Sequence, residues 1–526
     1  MPCLIQAGGE NFWQSKRSPH MKLIKFVFIG VFVLGVIHCR VESPVEAADL
    51  VLMNGNIVTM DKDNPRTEAL AVKGDTIVAV GSNKEIRTYI DKKETKIIDL
   101  QGKLALPGFN DSHVHFIQGG NALLSVSLDR VTSFDEIQRR VREKIKDKKD
   151  GEWIKGRGWD QEILPGKKWP TKELIDEVAT NNPVVLSRIC GHCILVNSYA
   201  LRISGITKDT PNPPGGVIVK DPDTGEPTGI LHENAMDLIK WPQLRPNTMD
   251  LTKSPQLSDK QYYEMDKKAA RLAMKEAARF GVTSLHDLDR KIGFFKELLD
   301  EGELTVRVYA GVALTSSPEK IQEYKEWKQM LVDNHHMLKF GVIKGYIDGS
   351  LGSSTALLAE PYKNDLSTSG MMLMTQEELN GIISLYDEEN FQIAIHAIGD
   401  KGVNIVLNAF EESIKRNGAR DSRHRIEHAT GIIPEDIPRF DTLGVIGSVQ
   451  PVFGPSYGQT VQSFFEDRFG EKRAKFTNIW KTLLQANALL AFGTDWPVES
   501  LNPMEGIYSA VARKSITDKT GNAWLQ

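Results

Sequence analysis

From residue 108 onward the apolar positions fall into two alternating patterns. Continuous runs such as "MLKFGVIKGYID", "FQIAIHAIG", "VIGSVQP" and "ALLAFGTDWP" read as strands buried on both faces. Between them, apolar residues recur at helical spacing. In "DKGVNIVLNAFEESIKRNG", Val403, Val406, Phe410 and Ile414 share one helix face. "MDKKAARLAMKEAARFGVTSLHD" reads as a helix running into a strand. Strand–helix alternation over this length predicts an α/β protein whose parallel sheet closes into a (β/α)8 barrel, covering residues 108–526.

Two regions depart from that rhythm. "ADLVLMNGNIVTM", "ALAVKGDTIVAVGS" and "TKIIDLQGKLALPG" are short apolar runs cut by Asn-Gly, Gly-Asp and Gln-Gly turns, which predicts a small β module over 48–107. After the first barrel strand, ending near His115, a stretch of about 120–260 carries its own helices, strands and Trp- and Pro-rich connections such as "GRGWDQEILPGKKWP". It reads as a large α/β insertion overhanging the barrel mouth. Within it, Ser133 followed by Glu136 predicts a capping box at a helix start.

Residues 1–47 read as a leader. Lys22 and Lys25 precede an uncharged apolar run from Phe26 to Ile37, and "VEAA" offers a small-residue cleavage site after Ala47. The run falls short of the about 20 residues a membrane helix needs, which favours export over an uncleaved anchor. A lipid anchor on Cys39 has a poor preceding residue in His38. The expected location is therefore outside the cytoplasm: periplasmic, secreted or membrane-associated.

Composition adds exclusions. A net charge of −4 with no basic block gives no reason to expect nucleic acid as a partner. Of four cysteines, Cys3 and Cys39 fall in the leader, leaving Cys190 and Cys193. A large apolar core, and no disulfide framework, must stabilise the fold.

The chemistry concentrates at strand ends. In "LALPGFNDSHVHF", His113 and His115 are two apart on a strand and so point to one side. His396 in "AIHAIGD", His428 in "HRIEHA" and Asp495 in "AFGTDWP" close three later strand patterns. In a barrel, such positions converge on the C-terminal face, where imidazole and carboxylate groups can hold a metal.

The ordered stretches "LPGFNDSHVHF", "KGYIDGSLGSSTALL", "AIHAIGDKGVN", "RHRIEHA" and "FGTDWPVESLNP" resemble the metal-dependent amidohydrolase superfamily, in its YtcJ-like branch (amidohydrolase family 3), which includes N-substituted formamide deformylase. The resemblance runs from about 49 to the last residue and implies a TIM-type barrel with a small β-sandwich module. It implies a hydrolase of non-peptide carbon–nitrogen bonds, N-substituted amides or formamides, acting through attack of a metal-bound hydroxide on a small-molecule substrate. His113, His115 and Asp495 match the ligands of a first divalent metal, Zn2+ by expectation, and His396 and His428 those of a second. Asp495 also matches the proton-transferring base. Lys344 matches a lysine that some relatives carboxylate: a carbamate bridges two cations where an ammonium cannot, whereas an unmodified lysine implies one ion.

The same resemblance decides the "CGHC" at 190–193, which by itself looks like a redox dithiol. Arg188, Gly191, His192, Asn197 and Ser198 match a segment of the family, and the cysteines occupy ordinary positions, as two buried thiols or one incidental disulfide. His192, with Arg157 and Trp159 of "GRGWD", is expected to reach the substrate. His286 could face the mouth, Glu427 could hold an imidazole in its ligating tautomer, and His424 and the His335–His336 pair read as solvated or structural. Two departures stand out. Ser354 replaces an arginine of the family motif, and the chain stops at "GNAWLQ", which implies a C-terminally truncated β-sandwich. Three other functions stay open at this point: an esterase, lactonase or carbamate hydrolase on the same site, an inactive exported metal-binding protein, and a disulfide oxidoreductase.

Overall fold

A strand covered by helices on one side and closed against its neighbours on the other has no face left for polar residues. Ile393, Ala394 and Ile395 meet that condition, all three without exposed surface. The computed structural model describes residues 46–240, 259–288, 292–331, 336–453 and 461–514. The leader up to residue 45 with Cys3 and Cys39, His335, and the segment from 515 lie outside the described residues. The chain divides into two units, one ending at Gly108 and one beginning at Phe109.

The first unit holds two small sheets. One joins strands Thr76–Gly81, Ala69–Lys73, Leu50–Met53 and Lys96–Asp99 in that order, and the other joins Arg66–Thr67, Asn56–Val58 and Leu104–Ala105. Val51 and Met53 alternate inward on their strand and meet Ala69, Ala71 and Ile86 in a small core.

The second unit is built on eight parallel strands: β1 Phe109–Val114, β2 Val282–Asp287, β3 Arg307–Ala313, β4 Leu338–Tyr346, β5 Gln392–Ala397, β6 Arg425–His428, β7 Ile446–Val449 and β8 Leu489–Phe492. Each pairs in parallel with the next in sequence. The sheet curls until its two ends meet just past β8. There the Asp495 N–H donates to His113 O at 2.7 Å and the His115 N–H to Trp496 O at 2.7 Å. Asp111 locks the same seam, accepting from the Thr494 N–H at 3.0 Å and its hydroxyl at 2.6 Å. The result is a nearly closed eight-stranded parallel barrel of the TIM type.

Helices cover the outside. Asp400–Asn417 buries Val403, Val406 and Phe410 against the sheet, the face its sequence period predicts, with Ile414 half-buried beside them. Phe116–Leu124 lies against Asp259–Arg279 so closely that a β-carbon on Gly120 would stand 2.1 Å from Ala269 O. Between the first of these helices and the second runs the insertion. Its six-stranded mixed sheet is ordered Gly216–Lys220, Pro227–Glu233, Cys193–Val196, Val184–Arg188, Ile154–Trp159 and Val126–Ser127. The predicted capping box at Ser133 forms by half. Ser133 accepts from the Glu136 N–H, but the Glu136 carboxylate turns to Arg139 and Arg140 instead of back to the cap, because two guanidinium groups outbid one backbone N–H.

Candidate metal centre

Parallel strands bring their C-terminal ends to one rim, and His113, Lys344, His396 and His428 each occupy one of the last three positions of their strands. His115 sits one residue past β1, at the N-cap of the helix that follows. Asp495 lies just beyond β8 with φ at 56°, and His428 ends β6 with φ at 74°. Side chains other than glycine seldom adopt that left-handed backbone, and it marks places where the surrounding structure dictates the conformation.

These elements aim three acceptors at one point. His113 Nε2 lies 3.3 Å and His115 Nε2 3.2 Å from Asp495 Oδ1. One ligand-type atom from each residue lies within 4.8 Å of the other two. The imidazoles continue in a row, with ring centroids 5.5 Å apart for His113 and His115, 5.0 Å for His113 and His428, and 4.4 Å for His428 and His396.

Hydrogen bonds settle which nitrogen of each ring is left over. His113 Nδ1 meets Glu427 Oε2 at 2.6 Å; a carboxylate accepts, so the proton is on Nδ1 and the lone pair on Nε2. His396 Nε2 donates to Gly349 O at 2.9 Å, which leaves Nδ1 as the acceptor. His428 Nδ1 faces Gln450 Oε1 at 2.8 Å, which leaves Nε2. Burial holds all three rings below the usual imidazole range, His428 down to about 3 and His396 well below. They are therefore neutral, the form that binds metal. Burial alone would raise Asp495, but the His113 and His115 rings beside it pull it well below the usual carboxylate range.

His113 Nε2 and Asp495 Oδ1 are both buried without a hydrogen-bond partner among the described residues. Lone pairs held face to face in this way repel unless a cation lies between them. The residues fit a divalent metal: the nitrogens of two imidazoles and one carboxylate oxygen, with Glu427 behind His113.

The sequence profile of the Amidohydrolase family matches residues 96–526. The chain belongs to the amidohydrolase family. It is 34% identical over 473 residues to YtcJ of Bacillus subtilis (strain 168), provisionally assigned as an amidohydrolase, covering 89% of this chain and 85% of that protein. It is 24% identical over 479 residues to the N-substituted formamide deformylase of Arthrobacter pascens, covering 89% and 84%. A crystallographically solved metal-dependent hydrolase of uncharacterized activity from Pyrococcus furiosus superposes with a TM-score of 0.65 at 29% identity, covering 90% of both chains. The protein is thus a metal-dependent hydrolase of the YtcJ-like branch.

Behind the ligand-type groups of this amidohydrolase stands a layer that sequence reasoning reached only at Glu427. Arg425 grips both Glu427 oxygens, at 2.7 and 2.9 Å, and donates to Ser112 O and to His286 Nδ1 at 2.8 Å. His286 therefore spends a ring nitrogen on a guanidinium, apart from the His113–His115–Asp495 triad. Asp348 accepts from the Ile398, Gly399 and Leu357 N–H groups and shapes the loop after β5; burial raises its pKa to about 7. Its signal in the sequence is the "DGS" just after β4. Lys344 is 1% exposed, its ammonium 4.2 Å over the Tyr346 ring and without a hydrogen-bond partner.

The insertion contributes His192, whose ring centroid lies 5.1 Å from that of His396. Arg157 bridges to the rim, donating to Pro497 O at 3.2 Å and Ile189 O at 2.7 Å. Trp159 is a correction. It has no exposed surface, donates its indole N–H to Leu186 O at 2.7 Å, and packs in the insertion's own core with no face for a substrate. Cys193 is buried, Cys190 half-buried, and neither is in a disulfide. His424, deep in the barrel wall, pairs with Asp387 at 3.1 Å and is structural.

Proposed function

We propose that this amidohydrolase cleaves the non-peptide carbon–nitrogen bond of an N-substituted amide or formamide. The unpartnered lone pairs of His113 Nε2 and Asp495 Oδ1, 3.3 Å apart, are the observation that carries the reading. His113, His115 and Asp495 would hold one divalent cation, and His396 and His428 a second. Neutral imidazoles suit Zn2+ among the available ions. A divalent cation held there would lower the pKa of water to about 7 and polarise a carbonyl oxygen.

The chain's own residues supply the rest. Asp495, kept ionised, takes a proton from the attacking water and passes it to the departing nitrogen, since an amine leaves far more readily once protonated. His192 meets the substrate from the insertion side. By taking up CO2 on its ε-amine with loss of a proton, Lys344 would become a carbamate, an anion suited to two cations, in place of a buried ammonium that rests on the Tyr346 ring without a hydrogen-bond acceptor among the described residues. The similarity to N-substituted formamide deformylase supports the substrate class, and the leader supports export.

The test is turnover of N-alkyl formamides beside matched esters, lactones and carbamates, with metal analysis of the same preparation. Preferred cleavage of the formamide is the expected result. Preferred cleavage of an ester, lactone or carbamate would reassign the bond while keeping the site.

A further inference from the structure

One buried carboxylate beside the imidazole row has no part in the scheme above. Glu233 ends a strand of the insertion with its side chain 8% exposed and its backbone at φ 48°, ψ −129°, a conformation side chains rarely adopt. Its oxygens lie 2.9 and 3.1 Å from His192 Nδ1, and its backbone N–H donates to His192 O at 3.1 Å. The same carboxylate accepts from the Thr355 hydroxyl at 2.8 Å, in the loop that follows β4.

That loop reaches the metal centre. Gly349 O accepts from His396 Nε2, and a β-carbon on Gly349 would stand 2.4 Å from Glu233 Oε1 and 2.1 Å from the Thr355 hydroxyl. Glycine at 349 is what lets the carboxylate come this close. Glu233 thus stands directly behind His192 and beside Gly349, the residue whose carbonyl orients His396.

We propose that Glu233 is a positioning residue for the hydrolytic reaction, holding His192 by Nδ1 so that the opposite nitrogen, Nε2, is presented to the substrate beside His396. The carboxylate accepts, so Nδ1 carries the proton in this bond, and rotation of the ring is blocked. The proposal rests on the reading of His192 as a substrate-facing group. A pair that served stability alone would need neither the strained backbone nor the shared contact with the His396 loop.

The experiment compares Glu233→Ala, Glu233→Gln, His192→Ala and the double alanine variant on the wild type's best substrate, with metal content and thermal midpoint recorded for each. Glu233→Ala is expected to lower kcat/KM about 10²-fold, chiefly through kcat, as misplacement of an aligned group does. Glu233→Gln, whose amide oxygen still accepts from Nδ1, recovers most of that loss. The double variant is no slower than His192→Ala, because the two residues act as one unit. A Glu233→Ala variant with wild-type kcat, or losses that multiply in the double variant, overturns the proposal. Crystal structures of the wild type and Glu233→Gln and Glu233→Ala variants ask the same question without a substrate. A His192 ring swung from its place beside His396 in the alanine variant supports the proposal, and an unmoved ring refutes it even if the formamide reading fails.

Discussion

His113 Nε2, on the first barrel strand, faces Asp495 Oδ1, just past the eighth, at 3.3 Å, and neither atom has a hydrogen-bond partner among the described residues. The two residues are held in place by the seam that closes the barrel, where the Asp495 N–H donates to His113 O. The contact that closes the barrel therefore also sets the geometry of the candidate metal centre. An Asp495→Asn substitution replaces the oxygen proposed to ligate metal and accept a proton by an amide of the same shape. Turnover should fall by about 10²–10⁴-fold, the range for a lost general base, and metal bound per chain should drop with it. Steady-state kinetics and metal analysis check this; an active, metal-replete variant would remove Asp495 from both roles.

The bond from His113 Nδ1 to Glu427, at 2.6 Å, fixes the tautomer that turns Nε2 inward. Glu427→Gln offers an amide in place of the carboxylate, in contact with Arg425, and weakens that hold. Metal affinity should fall about 10–100-fold, measured by competition with a chromophoric chelator, while the protein stays folded. Unchanged affinity would mean that barrel packing alone orients the ring.

Acid should destabilise the protein, and His232 is one cause. Burial lowers its pKa from 6.5 to about 4; its ring packs 5.5 Å from that of Trp169 and its Nδ1 has no partner. The unfolded chain then binds more protons than the native one between those values, so stability is present above pH 6.5 and lost as pH falls towards 4. By pH 5 the loss from this group is about 2 kcal/mol. His232→Gln, neutral throughout, should flatten that part of the profile in urea midpoints taken at pH 7 and pH 5. An equally steep profile would show that other groups carry the acid response.

Two glycines in helices should respond oppositely to alanine. At Gly120 the new carbon would sit 2.1 Å from Ala269 O, and the backbones must separate, so Gly120→Ala should destabilise by about 1–3 kcal/mol. Gly381, exposed in the helix Gln376–Glu388, has open space around its would-be β-carbon, so Gly381→Ala should stabilise by about 0.4–1 kcal/mol. Denaturation midpoints of the two variants, shifted in opposite directions, check both.

Much of the barrel was legible because apolar strands and one-sided helices leave local traces: β5, β7, β8 and the helix 400–417 lie where the pattern puts them, although β8 keeps Leu489 and Phe492 exposed where its apolar run predicts burial on both faces. The strand Arg307–Ala313 was missed. Its run begins with arginine and includes half-buried Tyr309 and Ala313, so it lacks the unbroken apolar character of its neighbours. Trp159 departs from expectation for a related reason: a tryptophan near an arginine in a Gly-rich stretch looks like a binding group, and only packing reveals it as part of the insertion's core.

Local pattern alone determined which segments are strands, which helix faces turn inward, and which residue types stand at strand ends, because these depend on neighbours a few positions away. Tertiary structure decided what those residues do. That His113 meets Glu427, that His396 spends Nε2 on Gly349, and that Glu233 stands behind both His192 and Gly349 are contacts between residues from 41 to 314 positions apart. Their tautomers, charges and orientations arise only when barrel closure excludes water and leaves each polar group the partners the fold brings to it.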